Sequence, residues 1–366
     1  MAKLWLLSLA FGIGIAPFLF AVPLQKAKGT TDSRKWLAEH MDEMITEMDL
    51  AKAYGAPYDL VEQTLNKRRK MLRKTANGTS RNIGPKNAKD AAYDHKMIRH
   101  KIFPMAAASY GDTENVKNCI RNTFRNATLY RNSVVQCNGK AYELCSAFTA
   151  VSHEDKAIIL SFRGTDTGYQ LIEETIQIAL FKRSQSPDEE WGKVGSYFLK
   201  IFNQLVDEGK IIDDLAKLVN TYNDYEIWVT GHSLGGAMAA IASATIVDAK
   251  LISAQRLKLV TFGQPRTGNG EWATAMDKKV GPFNYRVVNN RDLVPHMPPL
   301  WFEGYRHHMT EVFYNNAKNK TEEFVICADE AESDECAGKY WFYNVRDHLN
   351  YFGKSVSEWG EKGCAN

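Results

Sequence analysis

The sequence predicts an α/β protein with a central, mostly parallel sheet that helices cover on both faces. Short apolar segments with strand character alternate with longer helical patterns, which is typical of parallel strands joined by helical crossovers. The strand segments are 157–162, 225–230, 257–262 and 283–288, and the helical patterns between them include 197–205, 212–219 and 236–248. We expect the body to open with a helix over 91–109 that Pro104 interrupts.

Length and composition narrow the class of protein. At 366 residues the chain has room for one large α/β domain plus an appendage. Because 44% of the residues are hydrophobic and 24% are charged, a mainly disordered or collagen-like protein is excluded. The net charge is only +3, and the basic excess is local, since residues 66–89 hold nine Lys or Arg and no Asp or Glu. We therefore expect no nucleic-acid partner.

The N-terminus has the pattern of a secretory signal peptide over residues 1–21. Lys3 precedes an apolar run from Leu4 to Ala21, and the run ends on a small residue. A retained membrane anchor is the alternative, because the run is about as long as a minimal transmembrane helix. Glycine and proline within the run disfavour a spanning helix, so cleavage near Ala21 is the preferred interpretation.

Cysteines and glycosylation sequons agree with export. The six cysteines include no CxxC pair of metal-site spacing, so disulfides are the better interpretation. Two pairs lie near enough in sequence to close small loops, and the remaining pair would join the start of the body to its end: Cys137 with Cys145, Cys327 with Cys336, and Cys119 with Cys364. Six cysteines nonetheless allow 15 pairings, and spacing alone cannot choose among them. The sequons begin at Asn77, Asn126 and Asn319.

Residues 22–90 predict a small helical extension outside the sheet. A first helix carries an apolar stripe that includes Ile45, and a second helix carries the basic run on its polar side. The breaker-rich stretch 77–85 marks a boundary before the catalytic body at 91–366. A solvated extension is the plainest interpretation of this segment. A propeptide cut near the basic run and a membrane-surface contact are the alternatives.

The strongest chemical signal is the segment 231–236, Gly-His-Ser-Leu-Gly-Gly, which fits G-x-S-x-G. A strand precedes it and a small-residue helix follows, which is the setting of a nucleophile on a sharp strand-to-helix turn. Gly231 and Gly235 leave room where strand and helix approach closely. Ser233 would then sit near the positive end of a helix dipole. Ser233 is therefore the predicted nucleophile.

A serine nucleophile needs a histidine base and an acid that orients the base. In the chain order serine, acid, histidine, His348 near the C-terminus fits best. His232 adjoins the nucleophile, and we expect its side chain to point away from the serine oxygen. Asp292 leaves a strand into a turn and is the preferred acid. The alternatives are Asp277, in a helical stretch, and Asp329, in a cysteine-bounded loop.

The developing oxyanion needs two hydrogen-bond donors. One is the backbone N–H of Leu234, the residue after the nucleophile. The second is expected from the loop after an earlier strand, where Thr165 offers both an N–H and a hydroxyl.

With these motifs in place, the chain resembles the class 3 lipases, the fungal-type triacylglycerol lipase family, and looks most similar to its secreted animal members. The matching segments, in the family's order, are 161–165, 229–236, 261–269, 290–295 and 347–349, within a resemblance that spans about 95–364. The resemblance implies an α/β-hydrolase fold, the triad Ser233, Asp292 and His348, and an oxyanion hole of Thr165 and Leu234. It also implies the disulfides Cys119–Cys364 and Cys327–Cys336.

Residues 166–181 occupy the place of the family's lid. Ile172, Ile176 and Leu180 recur at helical spacing, so that one face of the lid is apolar. Two consecutive glutamates interrupt that surface, and the family's lid tryptophan is absent. The expectation of strong interfacial activation is weaker for this reason.

Together these features predict a secreted serine hydrolase that cleaves the carboxylic ester bonds of acylglycerols, a triacylglycerol lipase that works through an acyl-enzyme. No metal or organic cofactor is required. We expect a monomer that meets its lipid substrate at an oil–water or membrane interface. A phospholipase A1 or a short-chain carboxylesterase would use the same triad. A non-catalytic lipid-binding protein is disfavoured, because such proteins usually lose a triad residue.

Overall fold

The computed structural model describes residues 93–137, 144–164, 183–185, 189–315, 323–328, 331–340 and 342–365, together with 45–46, 59 and 62–63. The predicted signal peptide and most of the extension lie outside these described residues. Asp59, Glu62 and Gln63 are helical, in agreement with the predicted second helix. Ile45–Thr46, predicted as helix, instead form a strand. Both residues are β-branched, and they pair antiparallel with Phe342–Tyr343, so tertiary pairing overrides the helical pattern.

The described strands are numbered in chain order. They are β1 (Ile45–Thr46), β2 (Ala127–Gln136), β3 (Leu144–Ser152), β4 (Ala157–Phe162), β5 (Arg183–Gln185), β6 (Lys193–Gly195), β7 (Glu226–His232), β8 (Leu257–Phe262), β9 (Gly268–Asn269), β10 (Asn284–Asn289), β11 (Tyr305–Arg306), β12 (Glu311–Tyr314), β13 (Phe324–Cys327), β14 (Phe342–Tyr343), β15 (Asn350–Tyr351) and β16 (Lys354–Ser355). The largest sheet has eight strands in the order β13-β12-β10-β8-β7-β4-β3-β2.

The centre of this sheet is parallel and its edges are antiparallel. Parallel ladders join β4 to β7, β7 to β8, β8 to β10 and β10 to β12. At one edge β2, β3 and β4 pair antiparallel, and at the other β13 pairs antiparallel with β12. The four predicted strands, β4, β7, β8 and β10, all lie in the parallel core, whereas the fifth parallel strand, β12, and the antiparallel strands β2, β3 and β13 are additions that the sequence pattern did not indicate. Because parallel strands end at one edge, the residues that follow β7, β8 and β10 meet there.

The described helices cover both faces of the sheet. They are α1 (His95–Met97), α2 (Phe103–Ala108), α3 (Thr113–Thr123), α4 (Ser196–Asp207), α5 (Ile211–Thr221), α6 (Leu234–Asp248), α7 (Gly270–Lys279), α8 (Arg346–Leu349) and α9 (Val356–Glu361). On one face α4 to α7 bury side chains such as Phe202 and Ile241. On the other face α2, α3 and α9 bury Phe103, Ile120 and Val356. The fold therefore has two apolar layers, one on each face of the sheet. Burial of each such side chain contributes about 1.5–3 kcal/mol to the free energy of folding.

Pro104 lies inside a continuous helical segment and does not interrupt it. A π-helical turn, Ile98–Ile102, joins α1 to α2, and Pro104 occupies the first turn of α2. Pro104 thus lies just after the π-helical turn, where the hydrogen-bond register of the segment changes from i→i+5 to i→i+4. The segment begins at His95, later than predicted, because the Asp94 carboxylate accepts the Met97 N–H at 2.9 Å and caps it.

Three disulfides are present in the described residues, and they are the pairs that the sequence analysis favoured. Cys119–Cys364 joins α3 to the residues just after α9, across a sequence separation of 245. The other two close local loops: Cys137–Cys145 spans the connection between β2 and β3, and Cys327–Cys336 encloses the chain after β13. None of the helices in the described ranges combines the length and apolar character needed to cross a bilayer.

Candidate active site

Ser233 occupies the sharp turn between β7 and α6, in the strand–turn–helix setting that G-x-S-x-G predicts. Its backbone has φ 59° and ψ −132°, a conformation that costs a non-glycine residue about 1–3 kcal/mol. α6 begins at the next residue, Leu234, so Ser233 lies at the positive end of that helix. The residue is buried, with a relative exposure of 3%. The fold thus holds this serine in a strained and protected position.

The glycines on either side of Ser233 allow β7, α6 and β4 to approach closely. A Cβ on Gly231 would lie 2.3 Å from the carbonyl oxygen of Gly235. A Cβ on Gly235 would lie 2.2 Å from the carbonyl oxygen of Phe162, in β4. Real Cβ atoms do not approach backbone oxygens so closely, so these positions require glycine for steric reasons.

Asp292 and His348 form a buried pair at the same edge of the sheet. Asp292 follows β10 and His348 lies on the short helix α8, and both side chains are completely buried. The Nδ1 atom of His348 lies 3.0 Å from each carboxylate oxygen of Asp292. A carboxylate can only accept, so Nδ1 donates its proton and Nε2 keeps a lone pair. Nε2 is buried and has no hydrogen-bond partner among the described residues.

The loops that carry this pair are tied to each other by their backbones. The Asn344 N–H donates to the carbonyl of Arg291 at 2.9 Å, and the Leu293 N–H donates to the carbonyl of Asn344 at 3.3 Å. These bonds flank Asp292 in sequence and lie just before α8. The separation of the acid from the base is therefore set by main-chain hydrogen bonds as well as by their own contact.

Two residues of this site were missed by the sequence analysis. The Tyr351 hydroxyl donates to Oδ2 of Asp292 at 2.6 Å, while the Val294 N–H donates to Oδ1 at 2.9 Å. Burial, followed by the Asp292 charge, raises the pKa of Tyr351 well above its ordinary value, so the phenol stays a donor. Gly263 lies against the pair with φ +59°, and a Cβ there would be 2.8 Å from the His348 ring. Gly263 follows a core strand and lies in the family-matching segment 261–269, and these were the signals available for it.

Both ring nitrogens of His232, the residue before the predicted nucleophile, are hydrogen-bonded to neighbouring residues. Its Nε2 lies 2.8 Å from the carbonyl oxygen of His348, and its Nδ1 lies 2.8 Å from the Tyr110 hydroxyl. The carbonyl can only accept, so Nε2 carries the proton and Nδ1 accepts from the phenol. Burial, and after it the charge of His348, lowers the pKa of His232 well below its ordinary value. The ring is therefore neutral, with both nitrogens occupied.

Comparison with known proteins identifies the family. The family profile described as "Lipase (class 3)" matches residues 159–302. A lipase of Caenorhabditis elegans is 31% identical over 314 residues, which cover 77% of this chain and 86% of that protein. The chain belongs to the class 3 lipase family. A lipase of Rhizomucor miehei is 31% identical over 210 residues and is matched over 55% of its length, so this class 3 lipase shares about half of the fungal chain.

Solved structures of fungal lipases share the fold of this class 3 lipase. The lipase of Rhizopus microsporus var. chinensis superposes with a TM-score of 0.62 and 27% identity, over 77% of this chain and 98% of that one. A second structure has a TM-score of 0.61 and 27% identity over 72% of this chain and 97% of its own. That structure is described as a triacylglycerol lipase whose catalytic centre is a serine-protease triad. The α/β-hydrolase fold predicted for the chain is confirmed.

Of the remaining predicted site residues of this class 3 lipase, some lie in the described part of the chain and others lie outside it. Leu234 is the first residue of α6, and a Cβ on Gly164 would lie 3.1 Å from the Cβ of Ser233, so the strand loop after β4 reaches the nucleophile. Asn126 is exposed just before β2. The others lie outside the described residues: Thr165, Ile172, Ile176, Leu180, Asn77 and Asn319. The rejected acids are also apart from the pair, since Asp277 accepts the Met309 N–H and Asp329 lies outside the described residues.

Proposed function

We propose that Ser233, His348 and Asp292 form the catalytic triad of a secreted acylglycerol lipase. The observation that carries this proposal is the state of His348. Its Nδ1 is held by Asp292, and its buried Nε2 has no partner among the described residues. A ring in this tautomer accepts a proton only at Nε2. Ser233, on a strained turn at a helix start, is the nucleophile that such a base would serve. Membership of the class 3 lipase family supports the assignment.

The mechanism follows from these roles. Nε2 of His348 takes the proton of Ser233 as the serine oxygen bonds to the ester carbonyl carbon. The tetrahedral intermediate collapses when the C–O bond to the alcohol breaks, and His348 gives its proton to the leaving alcohol. Water, deprotonated by the same nitrogen, then attacks the acyl-enzyme; the bond from the serine oxygen to the acyl carbon breaks, His348 returns its proton to Ser233, and the fatty acid is released. Asp292 keeps the ring in this tautomer and stabilises its cation.

The oxyanion of the intermediate needs donors near Ser233. The Leu234 N–H at the start of α6 is the first donor in this proposal, and Thr165 is the second. Gly164, just before Thr165, packs closely beside Ser233, because a Cβ there would lie 2.2 Å from the Tyr110 hydroxyl and 3.1 Å from the Cβ of Ser233. Preorganised donors of this kind are worth about 3–4 kcal/mol of transition-state stabilisation.

Acylglycerols are the proposed substrate class. Lipases of Caenorhabditis elegans, Rhizopus niveus and Rhizomucor miehei are relatives of this chain, and one structural neighbour is described as a triacylglycerol lipase. The helical spacing of Ile172, Ile176 and Leu180 in the sequence predicts an apolar face, which would suit a lid at a lipid surface. A phospholipase A1 or a short-chain esterase remains the alternative, because the same triad would serve it.

A single experiment separates these functions. Hydrolysis of tributyrin is followed as its concentration crosses the solubility limit, with Ser233→Ala alongside and phosphatidylcholine vesicles as a second substrate. A rate that rises steeply once droplets form, and that Ser233→Ala abolishes, supports an interfacial triacylglycerol lipase. Turnover of the dissolved ester with no rise supports an esterase, and preference for the vesicles supports a phospholipase. Activity that persists in Ser233→Ala would overturn the triad.

Secretion is proposed from the predicted signal peptide, the sequons and the three disulfides. A relative from Malassezia restricta is named as a secreted mono- and diacylglycerol lipase. Expression of the full chain in a eukaryotic cell tests the proposal. Recovery from the medium with an N-terminus near residue 22 supports it, and retention in the membrane fraction with residues 1–21 attached contradicts it.

A further inference from the structure

Arg266 binds the chain just downstream of Asp292 at three consecutive carbonyls. Its side chain is buried, with 4% exposure. The Nη1 atom donates to the carbonyl oxygens of His296 and Pro298, both at 2.6 Å. The backbone N–H of Arg266 donates to the intervening carbonyl, that of Met297, at 2.8 Å. One residue thus fixes the path of the loop that begins with the proposed acid.

Glu332 holds the other side of the Arg266 guanidinium. Oε1 of Glu332 accepts from Nε at 3.0 Å and Oε2 accepts from Nη2 at 2.8 Å, which is a bidentate ion pair. This geometry orients the planar guanidinium and leaves Nη1 directed at the loop. Burial raises the pKa of Glu332, but the Arg266 charge and hydrogen bonds outweigh it and bring the pKa to about 2. The carboxylate is therefore ionised throughout any assay range.

The same carboxylate reaches the loop by a second route. Oε1 of Glu332 accepts the His307 N–H at 3.0 Å, and the His307 ring donates from Nε2 to the carbonyl of Pro295 at 2.7 Å. Glu332 itself lies in the loop closed by Cys327–Cys336. The four carbonyls of residues 295–298 are thus all bound by Arg266 or His307, and both of these residues are hydrogen-bonded to Glu332.

We propose that Glu332, acting through Arg266, is a positioning residue for the acid of the triad. Residues 295–298 continue directly from Asp292, whose Oδ1 also accepts the Val294 N–H at 2.9 Å. Movement of this loop changes the direction of the Asp292 carboxylate and so its contact with His348. Glu332 touches neither substrate nor reacting atoms, and it acts only through the loop. The inference rests on the proposed triad.

The test uses the full-length enzyme and two variants that break the ion pair differently. Glu332→Gln removes the charge and keeps the side-chain shape. Arg266→Lys keeps the charge but cannot make the bidentate pair and the two carbonyl contacts together. Each is titrated at Ser233 with a fluorophosphonate, so that kcat for a dissolved short-chain ester is expressed per reactive site. Glu335→Gln, an exposed position in the same disulfide loop, is the matched control.

Both variants are expected to lose about tenfold in kcat per reactive site, with KM within about twofold, since small displacements of a catalytic group cost rate more than binding. The acidic limb of the kcat/KM profile should move to lower pH in both, because a misdirected Asp292 stabilises the His348 cation less. A long-range charge effect would move that limb in Glu332→Gln alone. Glu335→Gln should match the wild type.

The outcomes separate this inference from the triad on which it rests. Wild-type kcat per site and an unchanged pH profile in both variants overturn the positioning role, even if the variants unfold at lower temperature. A movement of the acidic limb confined to Glu332→Gln also overturns it. Failure of the wild-type enzyme to react with the fluorophosphonate would instead overturn the proposed triad.

Discussion

The imidazole rings of His232 and His348 stack on each other with centroids 4.5 Å apart and planes 25° from parallel. Because His232 is neutral, this stacking contact adds no positive charge beside the His348 ring. In the proposed mechanism a cation forms on His348; a second charged ring at this distance would oppose it, whereas a neutral ring packs against it without that cost. The hydrogen bond from Nε2 of His232 to the His348 carbonyl, 2.8 Å long, fixes the backbone that carries the stacked ring.

Tyr351→Phe should lower kcat about tenfold. The lost hydrogen bond, 2.6 Å to Oδ2 of Asp292, has a charged acceptor, and such bonds are worth about 1.5–3 kcal/mol. The measurement is kcat on a dissolved ester, corrected for reactive serine. Tyr93→Phe removes another buried hydroxyl bond, to Tyr314, and should leave kcat unchanged. Equal losses in the two variants would show that the effect of Tyr351 is general destabilisation.

Gly263→Ala should abolish most activity, with a loss of at least about 100-fold. The new methyl group would lie 2.8 Å from the His348 ring and 2.9 Å from Oδ2 of Asp292, so the pair must separate. Gly353→Ala is the matched control, because Gly353 also has positive φ (+75°) but nothing within 4 Å of the added carbon. Near-wild-type fluorophosphonate labelling of Gly263→Ala would contradict the predicted clash.

The free energy of unfolding should fall as the pH drops from about 7 to 5.5. Burial, followed in each case by nearby positive charge, lowers the pKa of His232 and His307 well below the ordinary value. The unfolded chain therefore binds protons near pH 6.5 that the folded chain does not, so stability is lost below that pH by up to about 1.4 kcal/mol per pH unit for each histidine. Urea unfolding at several pH values measures the slope.

The pH range of the stability loss and the variant His232→Asn identify the titrating groups that cause it. Glu332, with a pKa of about 2, destabilises the fold on protonation only below the ordinary glutamate range, so it does not affect this interval. His232→Asn should unfold more easily at pH 7 but show about half the wild-type slope. A flat profile in the wild type would contradict the neutral state of both buried rings.

The long-range disulfide should contribute more stability than the local one at the hairpin. Cys119–Cys364 spans 245 residues and Cys137–Cys145 spans 8. In the chain-entropy account the difference is about 3 kcal/mol. Thermal unfolding of the two double serine variants compares them directly. Equal losses of stability would indicate that the unfolded chain is already compact near the termini.

The sequence was sufficient for four of the five parallel strands, all but β12, and for the residues of the proposed triad. Apolar runs such as 157–162 are continuous and therefore easy to recognise as strands. The order serine, acid, histidine can be read directly along the sequence, so it selected Asp292 and His348. β3 was missed because its nearly complete burial is achieved with small and hydroxylated residues, in Leu-Cys-Ser-Ala-Phe-Thr-Ala-Val-Ser, which gives neither an apolar run nor alternation.

Contacts across long sequence distances could not be predicted from local patterns. Tyr351 lies 59 residues from Asp292, and Glu332 lies 66 residues from Arg266. Each pair forms only because β10 and the loops after it are assembled side by side. The same reason explains Ile45–Thr46, whose extended backbone depends on a partner strand almost 300 residues away.

The bond between Cys119 and Cys364 makes one covalent ring of nearly the whole catalytic body. A protease that cuts the backbone once, anywhere between these two cysteines, opens the ring without releasing a fragment. Such nicked enzyme would migrate as a single species on a denaturing gel without reductant and as two after reduction. Limited digestion can therefore sever a surface loop of this lipase while both halves of its active site remain on one molecule.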